Sequence, residues 1–308
     1  MAHPAEASPP SERARALAEG GYDLHVHVAP DVPRRRIDDV ALAHRCAELG
    51  LAGFGLKSHY TSTAERARIV SAVEPGVRAI GTITLNQAVG GMNALAVEIA
   101  AREGARIVWM PTVDSPAETA GRAEPKPGDR VPLWASLQHE LHSLGLSIEP
   151  VHVTDEGGEL RPETREVLRA IARHRLILAT AHLGRDDTFA VVDGAFAEGV
   201  EHVVVTHPEF PCQDFSIPDQ VALAERGCWL ERCLTTPWSG KTTWEHVYEG
   251  VRAVGVERSL FSSDLGNPDY PAVEDGLALW ADRLLDAGFD DDEVRELVVE
   301  QGRRLIGA

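Results

Sequence analysis

Eight short apolar runs recur along this chain and alternate with segments of helical periodicity, which are clearest at residues 38–49 and 164–174. The runs occupy residues 23–28, 52–58, 78–85, 106–111, 176–182, 202–207, 228–234 and 259–264. Strands that alternate with helices favour parallel pairing, because a helix must carry the chain back between them. Eight such units predict a closed (β/α)8 TIM barrel of the α/β class.

A further apolar run at residues 146–153 would make a ninth strand. It contains Pro150, which suits a central strand badly, and the turn signals of residues 154–160 follow it. We therefore predict a hairpin-containing excursion after strand four, which begins in the Pro- and Gly-rich stretch 116–132.

The composition of the first residues predicts the domain organisation, and the net charge limits the possible partners. Residues 1–20 start with a Pro- and Ala-rich stretch and are predicted to be a flexible leader, and residues 21–308 to be a single domain. The net charge of −18 argues against nucleic acid or an anionic membrane as partner, because both attract clustered Lys and Arg. A small-molecule substrate is expected, and a homodimer is the commonest assembly of soluble enzymes.

The cysteines and the hydropathy pattern predict a cytoplasmic location. The four cysteines include no C-x-x-C pair, as expected of reduced thiols rather than a disulfide framework. No stretch approaches the ~18 uninterrupted apolar residues of a membrane span. The first twenty residues contain no apolar segment of signal-peptide length.

The strand ends carry residue types that bind metal. His25 and His27 share one face of the first strand because side chains alternate along a strand. Later runs finish on His182, His207 and Asp264. Catalytic residues of a TIM barrel lie at the C-terminal ends of its strands, so these side chains predict one shared metal centre.

The segment 23–27 (Asp-Leu-His-Val-His), His182, His207 and the Ser-Ser-Asp of 262–264 together resemble the amidohydrolase superfamily of metal-dependent hydrolases. The 25-residue spacing of the later histidines and the run 224–230 are similar to its phosphotriesterase-like branch. Segments 56–60 and 205–210 are similar to an uncharacterised subgroup of that branch. The resemblance implies a divalent metal on His25, His27 and Asp264, and a second on His182 and His207.

Superfamily members with two metals often bridge them through a carboxylated lysine on strand four, but residues 106–111 contain neither Lys nor Glu. Lys57, at the end of strand two, is the substitute. As a carbamate it would offer two oxygens to two cations, whereas as an ammonium it would attract an anionic substrate group. The sequence leaves open which form Lys57 takes and whether one or two ions bind. Zinc is expected, although His and Asp ligands also suit manganese, iron and cobalt.

The chemistry expected of these residues is hydrolysis by metal-activated water. Asp264 would move the proton from water to the leaving group, and Lys57 would share the catalytic role. The bond would be a C–N bond of an amide or cyclic amide, or a C–O bond of a lactone or ester, in a small anionic substrate. The predicted substrate-binding residues are His59, Arg185, Glu231 and Arg232, within a basic mouth that also includes residues 34–36 and Lys241. Glu231 or Asp31 could instead orient a ligating histidine.

Three alternatives stay open at this point. The opening H-x-H with His59 also suits a phosphoesterase of the polymerase-and-histidinol-phosphatase type, in which His59 rather than Lys57 is the key residue of strand two. The same scaffold could serve a decarboxylase or isomerase, where no water attacks. It could also be a barrel retained as a binding module without stoichiometric metal.

Overall fold

Eight parallel strands form one sheet in the order β1 to β8 and confirm the predicted TIM barrel. A computed structural model describes residues 8–120, 133–146 and 148–308. The strands are β1 Tyr22–Val26, β2 Gly53–Leu56, β3 Arg78–Thr84, β4 Ala105–Trp109, β5 Ile177–Ala179, β6 His202–Thr206, β7 Trp229–Cys233 and β8 Ser259–Ser262. Each strand begins within one residue of its predicted start and ends one to three residues before its predicted end, because the backbone leaves the ladder before the residues of the barrel mouth.

The barrel closes between β1 and the residues that follow β8. The Asp264 N–H donates to the carbonyl of His25 at 2.8 Å, and the His27 N–H donates to the carbonyl of Leu265 at 2.8 Å. Gly266 comes next with φ of +144°, where a Cβ would lie 1.7 Å from the His27 carbonyl oxygen. Only glycine allows this approach, so closure itself brings the histidines of β1 beside Asp264.

Helices surround the sheet and bury its outer face. They are α1 Glu12–Ala18, α2 Asp39–Glu48, α3 Ala64–Val73, α4 Ala94–Glu103, α5 Pro116–Ala120, α6 Leu133–Ser143, α7 Pro162–Arg173, α8 Arg185–Ala197, α9 Ile217–Glu225, α10 Thr235–Trp238, α11 Trp244–Val254, α12 Gly276–Asp286, α13 Asp291–Arg295 and α14 Gln301–Ile306, with a π-helical turn at Glu296–Glu300. Short 3-10 turns occupy Gln87–Val89, Val256–Arg258 and Val273–Asp275. No helix within the described ranges is long and apolar enough to cross a membrane.

The strands are largely apolar on both faces, as a sheet covered by helices requires. Leu178, Val203 and Val205 are fully buried and belong to one core cluster with the helices packed on β3 to β6. Side-chain caps start several of the helices: Asp38, Asn93, Ser216 and Thr243 each accept a hydrogen bond from the backbone N–H three residues on. These caps fix the lengths of the loops that carry the mouth residues.

The excursion after β4 is present, but its hairpin is reduced to one bridge. The run at 146–153 forms no strand within its described residues, and Thr154 and Leu160 make a single antiparallel bridge around the turn at 155–159. The Val151 N–H donates to the Asp114 carbonyl at 2.8 Å, so this segment lies along the loop after β4 rather than in the sheet. Part of the predicted start of the excursion, residues 121–132, lies outside the described residues.

The predicted leader contains a helix. Residues 1–7 lie outside the described residues, and α1 follows them. Ser11 caps α1 and donates its hydroxyl to Asp282 of α12 at 2.6 Å, and Ala14 and Ala18 are buried. The described part of residues 1–20 is therefore anchored to the helical layer, because its small apolar side chains pack there.

Candidate metal centre

The metal-binding side chains predicted from the sequence lie together at the C-terminal end of the barrel. His25 is in β1 and His27 follows it directly, while Lys57 and His207 directly follow β2 and β6. His182 and Asp264 stand in the loops after β5 and β8. The five histidine and lysine side chains are buried, and the Asp264 side chain is 20% exposed.

His25, His27 and Asp264 converge on one point. Asp264 Oδ1 lies 3.0 Å from His25 Nε2 and 3.2 Å from His27 Nε2. The three ligand atoms all lie within 4.8 Å of one another. Two imidazole nitrogens and a carboxylate oxygen form a donor set that zinc and related divalent ions accept, so the residues present fit a metal.

The hydrogen bonds around His25 favour a cation at this point. Glu231 Oε2 lies 3.4 Å from His25 Nδ1 and can accept its proton, which leaves the Nε2 lone pair facing Asp264. Without a metal, a proton must separate these two acceptors. Burial and Lys57 lower the pKa of His25, but the Asp264 and Glu231 carboxylates outweigh them and the pKa lies above its ordinary value.

Asp264 is held in place from two directions. Its Oδ2 accepts a hydrogen bond from the Thr235 hydroxyl at 2.8 Å, which leaves Oδ1 to the histidines. Its backbone has φ of +55°, and His207 has φ of +30°. Left-handed backbone is uncommon for residues other than glycine and concentrates at functional sites, where the surroundings hold it.

Lys57 lies inside the same group. Its Nζ is 3.0 Å from His25 Nε2 and 4.2 Å from the ring centroid of Trp109. Burial lowers the pKa of Lys57 below its ordinary value, although Asp264 and Glu231 act in the opposite direction. Trp109 is the last residue of β4, so this strand contributes an aromatic wall at the place where the resemblance implies a bridging lysine.

His207 is prepared to bind through one nitrogen. Its Nδ1 lies 2.8 Å from Gln213 Oε1, and Gln213 Nε2 donates to the Ala181 carbonyl at 2.9 Å. The second bond fixes the orientation of the amide, so Nδ1 carries the proton and Nε2 keeps its lone pair. Burial holds the pKa of His207 well below its ordinary value, and the ring stays neutral.

His182 has a charged partner. Its ring lies 4.9 Å from that of His207, and its Nδ1 is 3.1 Å from Glu118 Oε2. Glu118 belongs to α5 in the excursion. Burial lowers the pKa of His182, against the effect of Glu118, so this imidazole can also act as a ligand.

His27 has the opposite tautomer. Arg35 Nη2 lies 3.2 Å from His27 Nδ1, and a guanidinium can only donate. Nδ1 must therefore accept, and Nε2 carries the proton that faces Asp264. Burial and Arg35 lower the pKa of His27 to about 3. Arg35 is itself held by Asp31, whose Oδ2 accepts from Nε at 2.7 Å.

His59 is part of the centre. Its ring stacks on His27 at 4.8 Å and lies 6.4 Å from His182, and its Nδ1 is 2.8 Å from the Thr112 hydroxyl. The side chain is buried, and burial holds its pKa well below the ordinary value. The structure therefore places a neutral imidazole, the fifth of this centre, between His27 and His182.

A protein-family model matches residues 20–231 of this chain, and its description reads family of unknown function, DUF6282. The chain belongs to this family. No curated protein shows significant similarity to its sequence.

Solved structures with the same fold include amidohydrolases and a dipeptidase. An amidohydrolase from Pseudomonas aeruginosa superposes with a TM-score of 0.64 at 12% identity, covering 97% of this chain and 98% of its own. The probable dipeptidase PvdM from the same species gives 0.57 at 12% identity, covering 96% and 97%. Amidohydrolase 2 from Bifidobacterium longum subsp. infantis gives 0.51 at 14% identity, covering 93% and 98%. The predicted amidohydrolase resemblance is thus confirmed at the level of the fold.

Two of the predicted substrate-binding residues of this DUF6282 member lie apart from the centre. Arg185 is largely exposed at the start of α8 and pairs with Asp219 at 2.5 Å. Arg232 is fully buried and pairs with Glu209, and its guanidinium faces Gly250 of α11 in the helical layer. Strand alternation explains its position, because the preceding residue, Glu231, already points into the barrel toward His25.

Several residues of this site carry no signal in the sequence. Gln213 and Glu118 lie in connections after β6 and β4, and Thr235 begins α10. Arg35 is the middle residue of three consecutive arginines. Nothing in the sequence indicates that this one, rather than its neighbours, contacts His27. Side chains on loops reach their partners through backbone geometry that periodicity does not encode.

Proposed function

We propose that this DUF6282 member is a metal-dependent hydrolase that uses activated water to cleave a small anionic substrate. The observation that carries the proposal is the convergence of His25 Nε2, His27 Nε2 and Asp264 Oδ1 at the mouth of the barrel. Zinc is the proposed ion, because a donor set of imidazole and carboxylate in a buried site suits it.

A bound divalent cation would supply a Lewis acid that acidifies water and polarises the substrate carbonyl. Asp264 would accept the proton of the attacking water and deliver it to the leaving nitrogen or oxygen. The Thr235 hydroxyl holds Asp264 Oδ2 at 2.8 Å and so keeps the carboxylate aimed at the reacting groups. Glu231 and Gln213 keep His25 and His207 in the tautomer that binds a cation.

Lys57 is proposed to act as a carbamate. Burial favours its neutral amine, which can form a bond from Nζ to the carbon of CO2 and release one proton. The product carries one negative charge and two oxygens beside His25 Nε2, where Nζ now lies at 3.0 Å. An ammonium at this place would repel the cation instead.

An anionic substrate is supported by Lys241, in the loop between α10 and α11. Its Nζ lies over the Phe210 ring at 4.0 Å, and that ring lies 4.7 Å from His207 and 5.2 Å from His182. Within the described part of the chain, no carboxylate lies in ion-pair distance of Lys241, whereas Arg185 pairs with Asp219. A carboxylate on the substrate would complete this charge.

The solved structures with this fold include amidohydrolases, a probable dipeptidase and a putative 2-pyrone-4,6-dicarboxylic acid hydrolase, so a C–N bond and the C–O bond of a lactone are both proposed as the bond cleaved. The phosphoesterase alternative is kept for one observation, the burial of His59 against His27. A cytoplasmic location and a homodimer remain predictions.

Metal analysis of the purified protein tests the proposal. We expect about two zinc ions per chain, fewer in Lys57→Ala and Asp264→Ala, and the full amount in Arg185→Ala. One ion that is indifferent to Lys57 would make this lysine a substrate anchor, and no stoichiometric metal would refute the proposal. With substrates found by screening amides and lactones, 18O from labelled water should enter the product; unlabelled product would favour a decarboxylase or isomerase.

A further inference from the structure

A second group of ligand-type side chains meets at the rim of the barrel. Glu118 comes from α5, His182 from the loop after β5, and Cys212 from the connection between β6 and α9. One ligand atom of each lies within 4.8 Å of those of the other two. His182 is buried and the other two are half-buried, so an ion from the mouth can reach the group.

The spacing suits a tetrahedral cation. Zinc at ~2.0–2.3 Å from its ligands separates those ligand atoms by about 3.3–3.8 Å. His182 Nδ1 and Glu118 Oε2 lie 3.1 Å apart, slightly closer than that range, so the two side chains would move apart by a few tenths of an ångström to admit the ion. Imidazole, carboxylate and thiolate are all zinc ligands, and three of them leave a fourth position open to water or substrate.

A comparison with the surroundings of His207 and His25 indicates that Glu118 and Cys212 do more than orient the ring of His182. His207 Nδ1 faces the neutral amide of Gln213, which is not a usual zinc ligand. His25 Nδ1 faces Glu231 and Cys233, but all three side chains are sealed from solvent, and His25 Nε2 already faces Asp264. Only at His182, among the residues described, do a carboxylate and a cysteine sulfur meet an imidazole at a place open to the mouth.

We propose that Glu118, His182 and Cys212 bind a second divalent cation of the zinc type, with Cys212 as thiolate. His182 would bind through Nδ1, and the thiol would exchange its S–H bond for a sulfur–metal bond and release a proton. The second ion then uses ligands from the excursion and the β6–α9 connection, in place of the His182 and His207 pair implied by the resemblance. The proposal stands apart from hydrolysis, since it needs neither Asp264 nor turnover.

Cobalt substitution tests the proposal, because a thiolate bound to Co2+ gives a charge-transfer band in the near ultraviolet that nitrogen and oxygen ligands do not give. We expect this band in the wild type, its loss in Cys212→Ser, and its retention in Cys228→Ser, which changes a buried cysteine at the far end of β7. Cobalt content should fall from about two ions per chain to about one in Cys212→Ser and Glu118→Gln. Unchanged circular dichroism would show that the variants fold.

The outcomes separate this site from the proposed hydrolase centre. A charge-transfer band that survives Asp264→Ala while one ion is lost would support two independent sites. Cobalt bound with no such band, or a band lost in Cys233→Ser and kept in Cys212→Ser, would overturn the rim site and leave the hydrolase proposal intact. A band with no ion lost in Asp264→Ala would support the rim site and count against the hydrolase centre.

Discussion

Replacing Gln213 with leucine removes the acceptor that holds the Nδ1 proton of His207. The side chain is 5% exposed, and its two bonds, 2.8 Å to His207 and 2.9 Å to the Ala181 carbonyl, tie the connection after β6 to the loop after β5. Without it, His207 can adopt the other tautomer and rotate. We expect the metal affinity to fall by about 10- to 100-fold, as for other partners of ligating histidines.

That loss corresponds to about 1.4–2.7 kcal/mol of binding free energy, since each tenfold is worth about 1.4 kcal/mol. Stability should fall as well, by about 1–3 kcal/mol, because a buried carbonyl and a buried N–H lose their partner. The two effects must be separated. Kd from competition with a chromophoric chelator measures the first, and urea unfolding of the metal-free protein measures the second.

Gln220→Leu is the matched control. Gln220 is also buried, and its Nε2 donates to the Phe215 carbonyl at 3.1 Å, but it lies in the helical layer near Arg232. We expect a similar loss of stability and an unchanged Kd. If Gln213→Leu binds metal as tightly as Gln220→Leu, His207 is not a ligand that depends on a fixed tautomer, and the reasoning fails.

Three further predictions follow from single contacts. Arg35→Met should tighten metal binding by roughly tenfold or more, because the cation no longer competes with a charged hydrogen bond at His27, worth about 1.5–3 kcal/mol; weaker binding by chelator competition would contradict this. Lys241→Met should raise KM for carboxylate substrates by about tenfold with a smaller change in kcat, while Arg185→Met leaves KM unchanged; steady-state kinetics on charged and neutral substrate pairs would decide. Burial lowers the pKa of His202 below its ordinary value of about 6.5, so near and below that pH the unfolded chain binds a proton that the folded chain does not, and stability falls as pH falls. His202→Gln should lessen this loss between pH 7.5 and 5 in urea unfolding, and an unchanged pH dependence would refute it.

The fold was accessible from the sequence because parallel strands buried on both faces are continuous apolar runs. The positions at which the strands end were predicted less accurately. The run at 176–182 predicts seven residues of strand, whereas β5 is Ile177–Ala179. The chain leaves the ladder because Ala181 adopts φ of +54°, which hydropathy does not encode.

The excursion shows the same limit. Proline and turn residues correctly excluded a ninth strand, but they could not distinguish a hairpin from a single bridge at Thr154 and Leu160. The choice depends on where the segment finds its hydrogen bonds. Val151 takes the Asp114 carbonyl instead of a strand partner, and this is a tertiary contact.

In the candidate site, too, the residues at strand ends could be predicted and those on the longer loops could not. The residues at strand ends were predictable, because the barrel brings the C-terminal ends of its strands together. The alternation rule could also have removed Arg232, since it follows Glu231 in β7 and cannot share its face. Gln213 and Glu118 were not accessible, because nothing in the sequence sets the path of the two loops that carry them.

The hydrogen bonds decide how the centre can receive its cation. His25 and His207 have partners that keep a proton on Nδ1, so their Nε2 atoms can bind without a change of those partners. His27 cannot, because a cation on its Nε2 forces the proton to Nδ1, where it faces the Arg35 guanidinium at 3.2 Å. The two states exclude each other, so Arg35 must leave His27 when the site fills. Its other partner, Asp31, also accepts from the Ser58 hydroxyl at 3.0 Å beside Lys57, so the loop after β1 is linked to metal binding through one carboxylate.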